Sequence, residues 1–121
     1  MERSYMIYLE DMHTSMSRII EYLGEKDFIE FKQNFMLVDA VVRNFEIIGE
    51  AAKNIPEKVK EKYPSIPWNK MYGLRNLISH EYFGIDYEMI WEISRNNLPG
   101  NREDLTHVIE KERNSSDGSF S

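Results

Sequence analysis

The sequence predicts an all-α protein, a bundle of about five to six helices. Three observations support this prediction. Apolar residues recur at steps of three and four positions through nearly the whole chain. No segment alternates apolar and polar residues as a half-buried strand would. Glycine and proline residues separate the periodic segments from one another.

The first two predicted helices fill the N-terminal half of the chain. Apolar positions over 5–23 form the stripe of an amphipathic helix, which Gly24 ends. Asp27 is the candidate N-cap of a second helix, predicted to run without a break over 28–52 and to stop before Pro56. This second helix is apolar over a wide arc, so we expect it at the centre of the bundle, or in both a core and a subunit interface.

Prolines delimit the next two predicted helices. Pro56 can open a short helix over 58–63 from its first turn. Pro64 and Pro67 then break the chain before a fourth helix over 68–82.

Caps and helix breakers also delimit the predicted C-terminal segments. Asp86 can cap a fifth helix over 89–98. The Pro-Gly pair at 99–100 predicts a turn, and 102–113 forms a last periodic segment.

We expect residues 1–113 to form a single domain and residues 114–121 to form a polar, disordered tail. The chain has 121 residues, 41% of them hydrophobic and 30% charged, an ordinary globular composition. It has no cysteine, which excludes disulfides and thiolate zinc sites. Early acidic residues argue against a signal peptide, and no apolar run spans a bilayer, so we expect a cytoplasmic protein without membrane contact.

The net charge restricts the way in which the chain could bind nucleic acid. With 15 Lys and Arg against 21 Asp and Glu, the formal charge is -6. This balance argues against a broad basic face for non-specific nucleic-acid binding. A nucleic-acid enzyme of this composition would depend on a local basic site.

The predicted fourth helix carries the residues best suited to chemistry. At about 100° per residue, Arg75, Asn76, Ser79, His80 and Tyr82 fall within an arc of about 160°. The apolar residues of the same segment lie on the opposite side. One helix could therefore present a cation, an amide, an imidazole and a phenol to a single site.

Arginine and histidine together are sufficient, in principle, to cleave RNA. Histidine transfers protons near neutral pH, and arginine holds a phosphate and stabilises its developing charge. RNA supplies its own nucleophile, the ribose 2′-hydroxyl, so the product end is a 2′,3′-cyclic phosphate. Structural alternatives stay open, because Arg75 could pair with an acidic side chain, His80 could bond a neighbouring helix, and Gly73 could allow close helix packing.

The stretch Arg75-Asn-Leu-Ile-Ser-His80-Glu-Tyr82 resembles the R-x-x-x-x-H-x-Y motif of HEPN domains. The flanking stretches, above all Phe45-Glu-Ile-Ile-Gly-Glu-Ala-Ala52, resemble the HepT-like branch in particular. The similarity extends from about Met6 to Ile109, which leaves out little more than the tail.

This resemblance implies a HEPN-type helical bundle that forms a homodimer. The two motifs then meet at the dimer interface in a composite RNA-cleaving site that needs no metal and no cofactor. Arg75 and His80 are the implied catalytic pair, with Asn76 and Tyr82 in support. The implied partners are RNA and a cognate MntA-like minimal nucleotidyltransferase, an antitoxin that can adenylylate Tyr82 and silence the toxin.

Two other functions compete with a ribonuclease toxin. One is a non-catalytic subunit that presents a substrate or nucleotide to a nucleotidyltransferase. The other is a plain helical interaction module in which the motif only builds the dimer. Glu46 and Glu50, one helical turn apart, fit a solvated or interface pair better than metal ligands.

Overall fold

Seven α-helices and one π-helical turn account for most of the chain, which the computed structural model describes over residues 3–79 and 86–118. In chain order the elements are α1 (Arg3–Leu23), α2 (Phe28–Gln33), α3 (Phe35–Lys53), α4 (Glu57–Lys62), α5 (Trp68–Ser79), α6 (Tyr87–Glu92), the π-helical turn (Ile93–Asn97) and α7 (Leu98–Gly118). The described ranges contain no strand, which confirms the all-α prediction.

Helix α3 lies at the centre of the bundle, with α1 on one side and α5 on another, while α7 packs against α1. Buried side chains cover a wide arc of α3, including Val41, Phe45 and Ile48. Each fully buried aliphatic or aromatic side chain stabilises the fold by about 1.5–3 kcal/mol. The central position predicted for this part of the chain is therefore confirmed.

The prediction of one uninterrupted helix over 28–52 is wrong, because the helix is broken at one residue. Asn34 has extended backbone angles and separates α2 from α3. Its side-chain oxygen accepts a hydrogen bond from the Leu37 N–H at 3.1 Å, which caps the new helix. The apolar period continues across this break, so periodicity alone could not reveal it.

The turn predicted at 99–100 is also wrong, because the backbone stays helical from α6 through α7. In the π-helical turn the Leu98 N–H donates to the Ile93 carbonyl, five residues earlier. Pro99 then occupies the first turn of α7, where a missing N–H is tolerated. Arg95, within the π-helical turn, donates to the carbonyls of Gly24 at 2.7 Å and of Lys26, at the end of α1.

Helix α7 continues to Gly118, whereas the sequence led us to expect disorder from residue 114. Residues 119–121 lie outside the described part of the chain. Among the residues that the structure describes, no helix is both long and apolar enough to cross a membrane.

Candidate functional site

Helix α5 carries the candidate site and is held firmly in the bundle. The indole N–H of Trp68 donates to the Tyr63 carbonyl at 3.0 Å and anchors the start of the helix. Met71 and Leu74 are buried on the side predicted to be apolar. Arg75 is next along the helix and is only partly buried.

Helices α3 and α5 approach closely at Gly49. A Cβ atom placed on Gly49 would lie 3.0 Å from the Arg75 backbone nitrogen and 3.2 Å from the Met71 carbonyl oxygen. A residue with a side chain therefore cannot occupy position 49 unless the two helices move apart. This close contact brings α3 directly beside the Arg75 side chain.

The side chains of Glu50 and Tyr72 both contact the Arg75 guanidinium. Its Nε lies 3.1 Å from the Glu50 Oε2 on α3, an ion pair in which the Arg75 side chain is 32% exposed and the Glu50 side chain 51%. Its Nη1 donates to the Tyr72 hydroxyl at 3.0 Å. The guanidinium also lies over the Tyr72 ring, 5.2 Å from its centroid.

The structure places the predicted site residues only in part. Arg75 lies within the described part of the chain. Asn76 lies on α5, but its side chain is outside the described part, and His80 and Tyr82 fall in 80–85, also outside it. The meeting of Arg75 with His80 and Tyr82 therefore stays a prediction.

Sequence reasoning missed Glu50 and Tyr72 as partners of Arg75. Tyr72 precedes Arg75 by three residues, a spacing that could have indicated contact along one helix. The sequence grouped Glu50 with Glu46 as a solvated or interface pair, but Glu46 contacts Arg43 at 3.4 Å and Glu50 contacts Arg75. Only helix packing separates the roles of these two glutamates.

Chemically, this arrangement is an oriented guanidinium at a partly solvent-exposed surface. A planar guanidinium matches a phosphate or carboxylate in two parallel hydrogen bonds. Exposed Lys70 adds a second positive charge to α5. Within 3–79 and 86–118, no three His, Asp or Glu side chains cluster as metal ligands would.

Comparisons with known proteins converge on one family. The model of the family described as "Ribonuclease HepT-like" matches residues 12–111. A "Putative RNase" of Methanocaldococcus jannaschii is 39% identical over 107 residues, covering 88% of this chain and 98% of that protein. A second "Putative RNase" of that organism is 40% identical over 102 residues, covering 84% of each chain.

A third relative carries a more specific name. The "Probable ribonuclease HepT" of Thermococcus cleftensis is 39% identical over 99 residues, covering 82% of this chain and 90% of that protein. No solved structure gives a significant match.

Proposed function

Because this chain belongs to the ribonuclease HepT-like family, we propose that it is a metal-independent endoribonuclease, the toxin of a toxin–antitoxin pair. The observation that carries the proposal is the partly exposed Arg75 guanidinium, oriented by Glu50 and Tyr72 within the matched region. An oriented guanidinium at the surface suits the binding of an anionic substrate. The expected motif places His80 five residues later in the chain.

The proposed reaction is an internal transesterification of RNA. The ribose 2′-oxygen forms a bond to phosphorus, and the bond from phosphorus to the 5′-oxygen breaks. The 2′-hydroxyl loses its proton to a base, and the leaving 5′-oxygen gains one from an acid. His80 performs one of these two transfers, and Arg75 stabilises the charge that develops on the phosphate.

The proposed active form is a homodimer whose two motifs share one RNA site. The segment 68–82 has a charge of +1 with neutral histidine, from Lys70, Arg75 and Glu81. Two such segments facing each other would concentrate positive charge on a protein whose net charge is -6.

The proposed control is adenylylation of Tyr82 by an MntA-like nucleotidyltransferase antitoxin. The Tyr82 oxygen would attack the α-phosphorus of ATP, pyrophosphate would leave, and the phenolic proton would pass to a base. The added phosphate is negative and bulky, so it could take the place of an RNA phosphate beside Arg75. If a Tyr82→Phe protein were still modified and silenced by the partner, this part of the proposal would be wrong.

RNA cleavage by the purified, unmodified protein with EDTA present tests the proposed activity. We expect the parent protein to cleave RNA and to leave 2′,3′-cyclic phosphate ends. Arg75→Ala and His80→Ala should each lower the cleavage rate at least a hundredfold, because one removes a charge-stabilising group and the other a proton-transfer group. Two matched controls keep the parent rate. Arg43→Ala removes an exposed arginine of α3, and His107→Ala removes an exposed histidine of α7.

Failure of every RNA class to be cleaved by the verified unmodified dimer would contradict the proposal. That outcome would favour the non-catalytic subunit that presents a substrate to a nucleotidyltransferase. Loss of the dimer in Arg75→Ala and His80→Ala, measured by sedimentation, would instead favour the plain interaction module.

A further inference from the structure

Glu50 contacts Arg75 from a different helix. Its Oε2 lies 3.1 Å from the Arg75 Nε. Tyr72, which also contacts the guanidinium, lies on α5 itself and moves together with Arg75. We propose that Glu50 is a positioning residue that fixes the Arg75 guanidinium relative to the bundle, an inference that rests on the proposed ribonuclease function.

The backbone around Glu50 is tightly packed and can hold the Glu50 side chain in a fixed position. Its neighbours Gly49 and Ala51 are both buried. Gly49 packs against the backbone of α5 so closely that an added Cβ would lie 3.1 Å from the Arg75 Cβ. The Cα atoms of the two ion-pair residues therefore belong to one tightly packed contact, and only their side chains extend to the surface.

The two contacts on the guanidinium restrain different atoms. Glu50 contacts Nε and Tyr72 accepts from Nη1, so together they define the plane of the group as well as its position. Orientation matters because a guanidinium binds phosphate through two hydrogen bonds in its own plane. Loss of the Glu50 contact removes the restraint that comes from α3, while the Tyr72 contact comes from the same helix as Arg75.

A kinetic comparison measures the consequence for the reaction. We expect Glu50→Ala to lower kcat about tenfold while KM changes by less than twofold, since a misplaced group near the reacting atoms costs on the order of ten- to a hundredfold in rate. Glu50→Gln keeps an acceptor oxygen for the Arg75 Nε–H and recovers part of the loss. Glu46→Ala is the matched control, because Glu46 lies one turn earlier on α3 and pairs with Arg43.

A second measurement reports positioning without any catalysis. The Nε–H signal of Arg75 can be followed by NMR and assigned by its disappearance in Arg75→Lys. We expect the exchange of this proton with water to speed up at least fivefold in Glu50→Ala, to be intermediate in Glu50→Gln and to be unchanged in Glu46→Ala.

The two measurements separate the failure of this inference from the failure of the proposed function. An Arg75 Nε–H signal that is the same in the parent and Glu50→Ala overturns the positioning role, whatever happens to cleavage. An unchanged kcat in Glu50→Ala overturns it as well. A parent protein that cleaves no RNA, while the signal responds as expected, overturns the ribonuclease proposal and leaves the Glu50 contact supported.

Discussion

At the scale of single residues, Glu112 is a charged side chain that the described part of the fold buries. It is 2% exposed and accepts hydrogen bonds from Tyr5 at 2.7 Å and Tyr63 at 2.6 Å, while Lys62 lies 2.7 Å away. Burial raises the pKa of Glu112, but the bonds from Lys62, Tyr5 and Tyr63 outweigh it and leave the pKa below its usual value. Burial and the bond to Glu112 also raise the pKa of Tyr63. The cluster joins α1 and α7 to the end of α4.

Glu112→Gln should lower the free energy of unfolding by about 2 kcal/mol at pH 7, because an amide cannot accept from all three donors at once. A lowered pKa means that the ionised form stabilises the fold fully above the ordinary value of 4.5 and that this contribution is lost as pH falls through the folded-state pKa. Urea unfolding from pH 7 to 3 should therefore show the difference from the parent shrinking below about pH 4.5.

Glu110→Gln is the matched control for this change, since Glu110 is on the same helix and largely exposed. Its effect should stay within about 0.5 kcal/mol. A difference between the parent and Glu112→Gln that is constant over the whole pH range would contradict the role given to the ionised carboxylate.

At the scale of helices, two glycines of facing elements have opposite surroundings. Gly49 of α3 lies against the backbone of α5. Gly73 of α5 has open space around it, since an added Cβ would meet no described atom within 4 Å. The suggestion that Gly73 allows close helix packing is therefore wrong for the described residues, and Gly49 has that role instead.

The two Gly→Ala substitutions should change stability in opposite directions. Alanine is favoured over glycine within a helix by about 1 kcal/mol, so Gly73→Ala should raise the free energy of unfolding by about 0.5–1 kcal/mol. In Gly49→Ala the same gain is outweighed by the cost of shifting the facing backbone of α5 away from the new Cβ, and we expect a net loss of about 1–3 kcal/mol. Denaturant unfolding of both variants beside the parent measures the two effects, and a Gly49→Ala protein more stable than the parent would refute the close packing of α3 and α5.

At the scale of the whole molecule, negative charge limits where an RNA chain could bind. A net charge of -6 on 121 residues opposes the approach of a polyanion. Lys70 and Arg75 supply the positive charge of α5. RNA binding by this protein should therefore depend on few phosphate contacts.

The salt dependence of RNA binding measures that number of contacts. For the proposed dimer, made cleavage-deficient by His80→Ala and with Lys70 and Arg75 from each protomer, we expect a slope of about -3 for log K against log salt on single-stranded RNA. Lys70→Ala in the same background removes one lysine from each protomer and should make the slope less steep by about 1.4. A slope steeper than about -6 would mean that basic residues besides Lys70 and Arg75 contact the RNA, and would contradict this prediction.

The sequence by itself determined the helical class, most helix positions and the family, because these depend on local properties. The apolar period indicates which face of a helix is buried, and the motif around Arg75 consists of residues that are close together in the sequence. The predicted caps at Asp27 and Asp86 are also confirmed, since a cap is made within four residues of the helix start.

Only the tertiary structure decided which residues meet between helices. Nothing local distinguishes Glu50 from Glu46, yet the close contact at Gly49 brings Glu50 to Arg75 and leaves Glu46 with Arg43. The capping role of Asn34 was likewise hidden within an apolar pattern that continues past it. These contacts depend on the distance in space between backbone segments that are far apart in the sequence. The apolar pattern of the sequence contains no information about that distance.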